Sequence, residues 1–386
     1  MTRRRQQPPL TEQDLVRWNL VANFQERLAT HAGAATGSFA DPRRQLGEEQ
    51  YLGLMLFGLL NPVVESMRGL CAASRLRRVQ EEITDRPVSL GSFSEAQAVL
   101  APELLQKVFA ELAAEHQAEH GDPRLGAYRD KLVAVDGTIW AALPKMAWAV
   151  WRCHHGGLES ALKAHVKFNL LEEKPVGVTV TKAKRCERAV LREHWQAGEF
   201  YVGDRYYGED YQLFGQLQQA GCSFVLRLRQ EAVFEVIEEF PLSAADQAAG
   251  VTFDGLVRLG CKKKYQVEPL RLVRVPTENG ELLLVTDKSR EELSAELIAL
   301  IYRYRWRIEL FFKWLKCILG CRHWLAQSPR GVAVQVYCAL IAALLLLRAT
   351  GRRPGKRAME MIRFYLVGYA TLDELMREVR IEKNSA

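Results

Sequence analysis

The chain has 386 residues, 48% hydrophobic and 26% charged, which excludes a disordered or collagen-like protein and allows two or three domains. Its net charge of +7, from 53 Lys+Arg against 46 Asp+Glu, permits a nucleic-acid partner without requiring one. No apolar stretch follows Met1-Thr2-Arg3, and the longest apolar run, Val336 to Leu347, is too short to span a bilayer, so neither a signal peptide nor a membrane anchor is expected.

Residues 1 to 45 are polar and arginine-bearing, with Pro8, Pro9 and Pro42, and read as an arm or a small helix. Residues 48–80 read as helices: Tyr51 to Leu60 is apolar, Asn61-Pro62 opens the next helix, and Met67 to Val79 continues it. Arg68, Arg75, Arg77 and Arg78 cluster there. Arg86 to Ala96 is a turn and a helix start, with Ser92 or Ser94 as N-cap. Pro102 to Glu119 is a further helix. Residues 1–125 thus form a helical, basic N-terminal domain, either a helix-turn-helix DNA reader or a plain bundle.

The pattern changes at Lys131. Leu132 to Val135 is a short apolar run ending in Asp136-Gly137-Thr138, which reads as a buried strand with a carboxylate at its exit. His165 to Leu170 and Gly177 to Thr181 are strand-like, and Cys186 to Gln196 is helical. Glu199 to Asp204 gives another strand that releases an aspartate. Gly208 to Gln219 is a helix stopping at Gly221, and Ser223 to Leu228 is a strand. Residues 228–290 break this rhythm: Glu235–Phe240, Val251–Leu259, Gln266–Val275 and Glu281–Thr286 are short extended runs separated by Gly, Pro and Asn, a small β-rich insertion with a basic tip at Lys262 to Lys264. Ser289 to Leu319, 329–347 and 355–380 are helical.

As one α-helix, Tyr302 to Lys316 advances about 100° per residue, which puts Tyr302, Arg305, Glu309, Lys313 and Lys316 in a stripe roughly 80° wide. Ile308, Phe311, Leu315 and Ile318 fall opposite, as a core face. A carboxylate among cations suits a site that handles a metal and phosphates together. A salt-bridged surface face has the same pattern, since Arg305–Glu309 and Glu309–Lys313 are i,i+4 pairs. Asp136, Asp204 and Glu309 are therefore the candidate acidic triad: oxygen ligands suited to a pair of Mg²⁺ ions that would clamp both oxygens of an in-line phosphoryl transfer.

These residues resemble the DDE transposases of insertion-sequence family four. Asp136-Gly137-Thr138 matches the context of the first aspartate, and Asp204-Arg205-Tyr206-Tyr207 that of the second. Tyr302, Arg305, Glu309 and Lys316 match the spacing of the family's Tyr-Arg-Glu-Lys signature. The resemblance covers most of residues 130–348, and less specifically the helical region 55–120.

The resemblance implies an α/β fold: a ribonuclease-H-like catalytic core at 126–227 and 291–348, a β-rich insertion at 228–290, a helical N-terminal domain at 1–125, and C-terminal helices at 349–386. It implies metal-dependent DNA cleavage at inverted-repeat ends and strand transfer, with a hairpin intermediate as one route. Asp136, Asp204 and Glu309 would ligate two Mg²⁺ ions, with Mn²⁺ as a substitute. Tyr302, Arg305, Lys313 and Lys316 would contact DNA. An aromatic from the insertion would stack on a flipped base, with Phe240, Phe253 and Tyr265 as candidates. Partners would be the inverted-repeat ends, target DNA and a second copy in a synaptic homodimer, in the cytoplasm at the nucleoid, without a membrane. The alternatives are a related nuclease without strand transfer and a non-catalytic or domesticated DNA-binding protein.

Other residues read as structure. Cys317, Cys321 and His323, or Cys153 with His154 and His155, sketch a zinc site, but without paired Cys-x-x-Cys spacing isolated thiols and packing histidines are the better reading. Trp306, Trp314 and Trp324 are candidates to stack on bases, Trp306 near the stripe and Trp314 on the core side.

Overall fold

The structure is a computed structural model that describes residues 20–32, 46–61, 64, 66–99, 102–116, 121–141, 146–154, 157–260, 268–278, 280–321, 324–366, 369–371 and 373–378. The chain divides into two compact units, one of residues 1–116, 143–148 and 313–386 and the other of 117–142 and 149–312.

The first unit begins with α1 (Leu20–Ala32), α2 (Glu48–Leu60), α3 (Met67–Ala73), α4 (Leu90–Val99) and α5 (Pro102–Glu115). Phe24 and Leu28, one turn apart on α1, are buried, and Arg27 beside them makes a two-pronged ion pair with Glu115 of α5 at 2.8 and 2.9 Å. The Ser89 hydroxyl accepts the Ser92 amide at 3.0 Å, so Ser89 rather than Ser92 or Ser94 occupies the capping position of α4. Arg77 and Arg78 are exposed and pair with Glu81 and Glu82 at 2.7 and 2.8 Å.

The second unit is built on β1 (Leu132–Ala141), β2 (Val150–His154), β3 (Gly157–Asn169), β4 (Lys174–Lys182), β5 (Phe200–Gly203), β6 (Ser223–Arg227), β7 (Phe234–Glu239), β8 (Phe253–Leu259), β9 (Leu270–Thr277) and β10 (Gly280–Thr286). They form one sheet in the order β2-β3-β1-β5-β6-β10-β9-β8-β7, with β4 also on β3. β1 is antiparallel to β3 and parallel to β5, and β5 is parallel to β6, the ribonuclease-H-like arrangement. Leu132 to Val135 are buried on both faces, which is why this stretch is a continuous apolar run. The strands of 228–290 extend the same sheet, because β10 pairs antiparallel with β6.

The helices of this unit are α6 (Glu187–His194), α7 (Arg205–Gly208), α8 (Tyr211–Gln219), α9 (Ala244–Ala248), α10 (Ala295–Tyr304) and the first part, to Phe312, of α11 (Trp306–Cys317). Val133, Val135, Leu191, Tyr207, Phe214 and Phe224 share one core on the α6–α8 side, where Phe214 stacks on Phe224 at 5.3 Å. On the other side Phe311 of α11 lies 5.1 Å from Phe168 of β3. Gly208 has no room for a side chain: a Cβ there would lie 2.0 Å from the Arg227 carbonyl oxygen, so α7 rests directly on the end of β6.

A buried ion pair ties the outer strands to the start of α10. Arg271 of β9 forks onto Asp254 of β8 at 2.7 and 2.8 Å, with both side chains at most 3% exposed. Its remaining nitrogen donates to the carbonyls of Ser289, at 2.9 Å, and Leu293. Asp246 of α9 accepts the Glu296 amide at 2.9 Å. These contacts determine where α10 begins.

The first unit resumes at Lys313, within α11, and continues with α12 (Pro329–Thr350) and α13 (Lys356–Leu366). At 22 residues α12 exceeds the apolar run read from the sequence and has the length and composition to cross a membrane, yet most of it is buried, against α5 and α2. It is capped by Ser328, whose hydroxyl accepts the Gly331 amide at 3.1 Å, and it ends at Gly351 with φ 74°.

Arg271→Ala strands a buried carboxylate, so it should cost about 3–5 kcal/mol in urea unfolding, whereas an Arg271→Met, Asp254→Leu double variant should cost much less. Equal losses in both would show that the packing, and not the charge, carries the effect.

Candidate active site

Parallel pairing brings the aspartates together. Ala134 of β1 pairs with Val202 of β5, and two residues beyond each lie Asp136 and Asp204. β1 does not end at Asp136: it runs through Gly137 and Thr138 to Ala141, because the long β3 keeps pairing with it. Asp136 is therefore a mid-strand residue and not a strand exit. Its Oδ1 accepts the Gly137 amide at 2.7 Å. Asp204 follows β5 directly and caps α7, its Oδ1 accepting the Tyr206 amide at 2.9 Å.

Asp136 carries the strongest electrostatic signature of this group. Burial pushes its carboxyl up to about 7, the Gly137 amide pulls the other way, and the neighbouring carboxylates of Glu187 and Asp204 raise it further while Arg305 lowers it. Tyr207 is buried beside the same carboxylates: burial, then Glu187, Asp136 and Asp204, hold its hydroxyl well above the ordinary range.

Tyr302 and Arg305 do not share one continuous helix with Glu309. The chain turns at Arg305, between α10 and α11, with tighter bonds from the Arg305 amide to the Tyr302 carbonyl and from the Ile308 amide to the Arg305 carbonyl, each 3.1 Å. Tyr302 is buried, and Arg305 stands over its ring at 5.5 Å. Arg305 Nη2 donates to Glu309 Oε1 at 2.7 Å. The structure thus gathers Asp136, Asp204 and Arg305, with Glu309 joined through Arg305. Lys313 and Lys316 belong to the other compact unit. Lys313 is exposed; Lys316 is half-buried, and burial lowers its ammonium pKa.

Asp136 and Asp204 suit a divalent cation: both are hard oxygen donors, and a cation would relieve the burial and like charge that hold Asp136 high. Glu309 is instead bonded to Arg305, and among the described residues no three His, Cys, Asp or Glu side chains gather closely enough to hold a metal ion. Glu309 would have to leave Arg305 to join the aspartates.

Other candidates fall elsewhere. Cys317 is exposed, and Cys321 is buried with its thiol pushed up to about 12. His155, His323, Lys262 to Lys264 and Tyr265 lie outside the described residues, as do the side chains of Cys153 and His154. Trp306 is exposed, Trp324 is buried, and Trp314 is buried with its indole N–H donating to the Pro354 carbonyl at 2.7 Å. Phe253 is buried under Arg274 at 4.7 Å, and Arg290 lies 5.8 Å from the Phe240 ring.

Sequence reasoning missed Glu187, Tyr207 and Lys163. Glu187 Oε1 accepts from Lys163 Nζ at 2.9 Å, and its Oε2 faces the Tyr207 hydroxyl at 3.4 Å. The available signal was the glycine of Asp136-Gly137-Thr138. A Cβ on Gly137 would meet Glu187 Oε1 at 2.8 Å, so that glycine leaves room for a side chain from a distant helix.

A carboxyl with a folded pKa of about 7 and an unfolded value of about 3.9 opposes folding progressively as pH rises between the two, and fully above them. Without divalent metal, Asp136→Asn should therefore raise stability at about pH 8 by up to about 4 kcal/mol and have little effect near pH 4. Thermal unfolding at both pH values checks this, and a variant less stable at the higher pH contradicts it.

The family profile described as "Transposase DDE domain" matches residues 127–345. The chain is 28% identical over 219 residues to y4zB of Sinorhizobium fredii, which is named as a transposase, covering 55% of this chain and 60% of that one. It is 34% identical over 100 residues to a Synechocystis protein named as the transposase for insertion sequence element IS4SA, covering 24% and 30%. The match thus spans less than two thirds of either relative's length. A solved piggyBac transposase synaptic complex with hairpin DNA aligns with a TM-score of 0.44 and 10% identity, over 87% of this chain and 73% of that chain. With more than half its length inside the profile, the chain belongs to the transposase DDE domain family.

Proposed function

We propose that this protein is a transposase that cleaves DNA at the inverted-repeat ends of its element and joins the released 3′-OH to target DNA. The observation that carries the reading is the pair Asp136 and Asp204, set side by side by parallel strands inside the matched region, with Arg305 and Glu309 adjoining. In this reading Asp136, Asp204 and Glu309 are the catalytic residues and hold divalent cations, two Mg²⁺ or Mn²⁺. Bound there, the cations would supply Lewis-acid polarisation and lower the pKa of water.

The chain's own groups do the rest. Arg305 presents a planar fork to a phosphate, with Tyr302 as a further DNA contact; Lys316, a point charge, and Lys313 are DNA contacts of the other unit. A phosphate that binds Arg305 releases Glu309 toward the aspartates. Water attacks the phosphodiester and expels a 3′-OH, leaving a 5′-phosphate; that 3′-OH then attacks a phosphodiester of either the opposite strand, giving a hairpin, or the target, and displaces the 3′-oxygen of the bond it attacks. The N-terminal helices of 1–125 bind DNA, and two copies pair two ends. The protein works at the nucleoid.

Linear DNA carrying the flanking inverted repeat should be nicked at the repeat end with Mg²⁺ or Mn²⁺, and Glu309→Ala, Asp136→Asn and Asp204→Asn should each lower the rate about 100-fold or more. A hairpin product would identify the route. Binding without cleavage under both metals would replace this reading with a non-catalytic DNA-binding protein.

A further inference from the structure

We propose that the basic loop joining α12 to α13 is a further contact of this protein with the DNA backbone, independent of base sequence. The inference rests on the DNA-binding part of the reading above.

Arg348, Arg352, Arg353, Lys356 and Arg357 follow one another without a carboxylate between them; the next acid in the chain is Glu360. Lys356 and Arg357 turn outward, with side chains 82% and 80% exposed. Their carboxylate neighbours are Glu360, at 3.9 Å from Lys356, and Glu378, at 2.9 Å from Arg357. Exposed ion pairs of this kind hold weakly, so both cations can turn to a phosphate.

The loop is fixed along its length. Gly351 closes α12 with φ 74°, its amide donating to the Leu347 carbonyl at 2.8 Å. The Met359 amide donates to the Gly355 carbonyl at 2.9 Å. Between them the Pro354 carbonyl accepts the buried Trp314 indole N–H at 2.7 Å, and Arg363 of α13 donates to the Ile318 carbonyl at 2.6 Å. Trp314 belongs to the part of α11 that carries Lys313 and Lys316, in the same compact unit as the loop. Lys313 precedes Trp314 and lies about 100° round the helix from it, so the loop is seated beside that lysine. Duplex DNA carries one negative charge per roughly 1.7 Å of its axis, so a duplex that reaches Lys313 offers further phosphates to the loop. A surface fixed in advance loses little conformational freedom on binding.

Helix stability accounts for only part of this charge. Arg352 and Arg353 lie just past the C-terminus of α12, where the helix dipole favours cations. Lys356 and Arg357 open α13, whose first turn holds no acidic residue, and there the dipole disfavours them.

The test is duplex binding by the full chain without divalent metal, at several salt concentrations, on inverted-repeat DNA and on an unrelated duplex of equal length. Thermal unfolding is measured alongside. Lys356→Gln with Arg357→Gln, and Arg352→Gln with Arg353→Gln, should each lower the slope of log K against log salt by about 2 and weaken both duplexes by the same factor. Arg352→Lys, Arg353→Lys and Arg357→Lys together should keep the parent slope. If the Arg352, Arg353 pair does not fold, the exposed Lys356, Arg357 pair decides. A folded glutamine variant with the parent slope overturns the proposal. Losses confined to the inverted repeat, or equal in the lysine variant, overturn it as well, since backbone charge would not be what is read. A parent that binds neither duplex would instead overturn the DNA-binding reading beneath it.

Discussion

A half-buried carboxyl in β1, beside other carboxylates, is the constraint around which the second unit is organised. Asp136 lies in β1, which has β3 on one edge and β5 on the other. Parallel pairing with β5 leaves Asp204 in the equivalent place just past the end of the next strand, so the topology itself brings two like charges together. The fold opposes that repulsion with few groups: the Gly137 amide on Asp136, the Tyr206 amide on Asp204 and the Arg305 guanidinium nearby. These leave Asp136 with an elevated pKa, the condition expected where a site is shaped for a ligand more than for stability.

The outer strands contribute by anchoring what faces that carboxyl. Arg271 and Asp254 join β9 to β8, and Arg271 also holds the carbonyls that precede α10. Asp246 takes up the Glu296 amide at the start of the same helix. Since α10 ends at Tyr304 and the chain turns at Arg305, the position of Arg305 depends on where α10 begins. A segment that reads as an insertion in sequence thus has a structural link to the site, because its β10 pairs directly with β6.

Much of this was legible in the sequence, for identifiable reasons. The apolar run before Asp136, the strand before Asp204 and the strands of 228–290 follow local patterns of burial and turn chemistry, and all occur as strands. What failed to show was set by partners distant in sequence. Asp-Gly-Thr has turn chemistry, yet β3 continues alongside it and keeps the strand extended to Ala141. The 3.6-residue stripe from Tyr302 to Lys316 assumed one helix, and the turn at Arg305 has no Gly or Pro to announce it. Glu187 looked like an ordinary first-turn carboxylate, and only the space at Gly137 reveals what it faces.

These departures from local expectation concentrate where the charges meet. A turn sequence is held as strand, a helix breaks without a breaker, and a third carboxylate is placed where two already repel. Local pattern and final structure agree at the doubly buried β1 segment and at the stacked Phe214 and Phe224. Agreement between local preference and global fold is what gives a protein its stability, so exceptions cost free energy and persist where something else requires them. Arg305 shows what that is: one guanidinium is bonded to Glu309 and also lowers the pKa of Asp136. An anion that engaged Arg305 would alter the charge around both carboxylates at once.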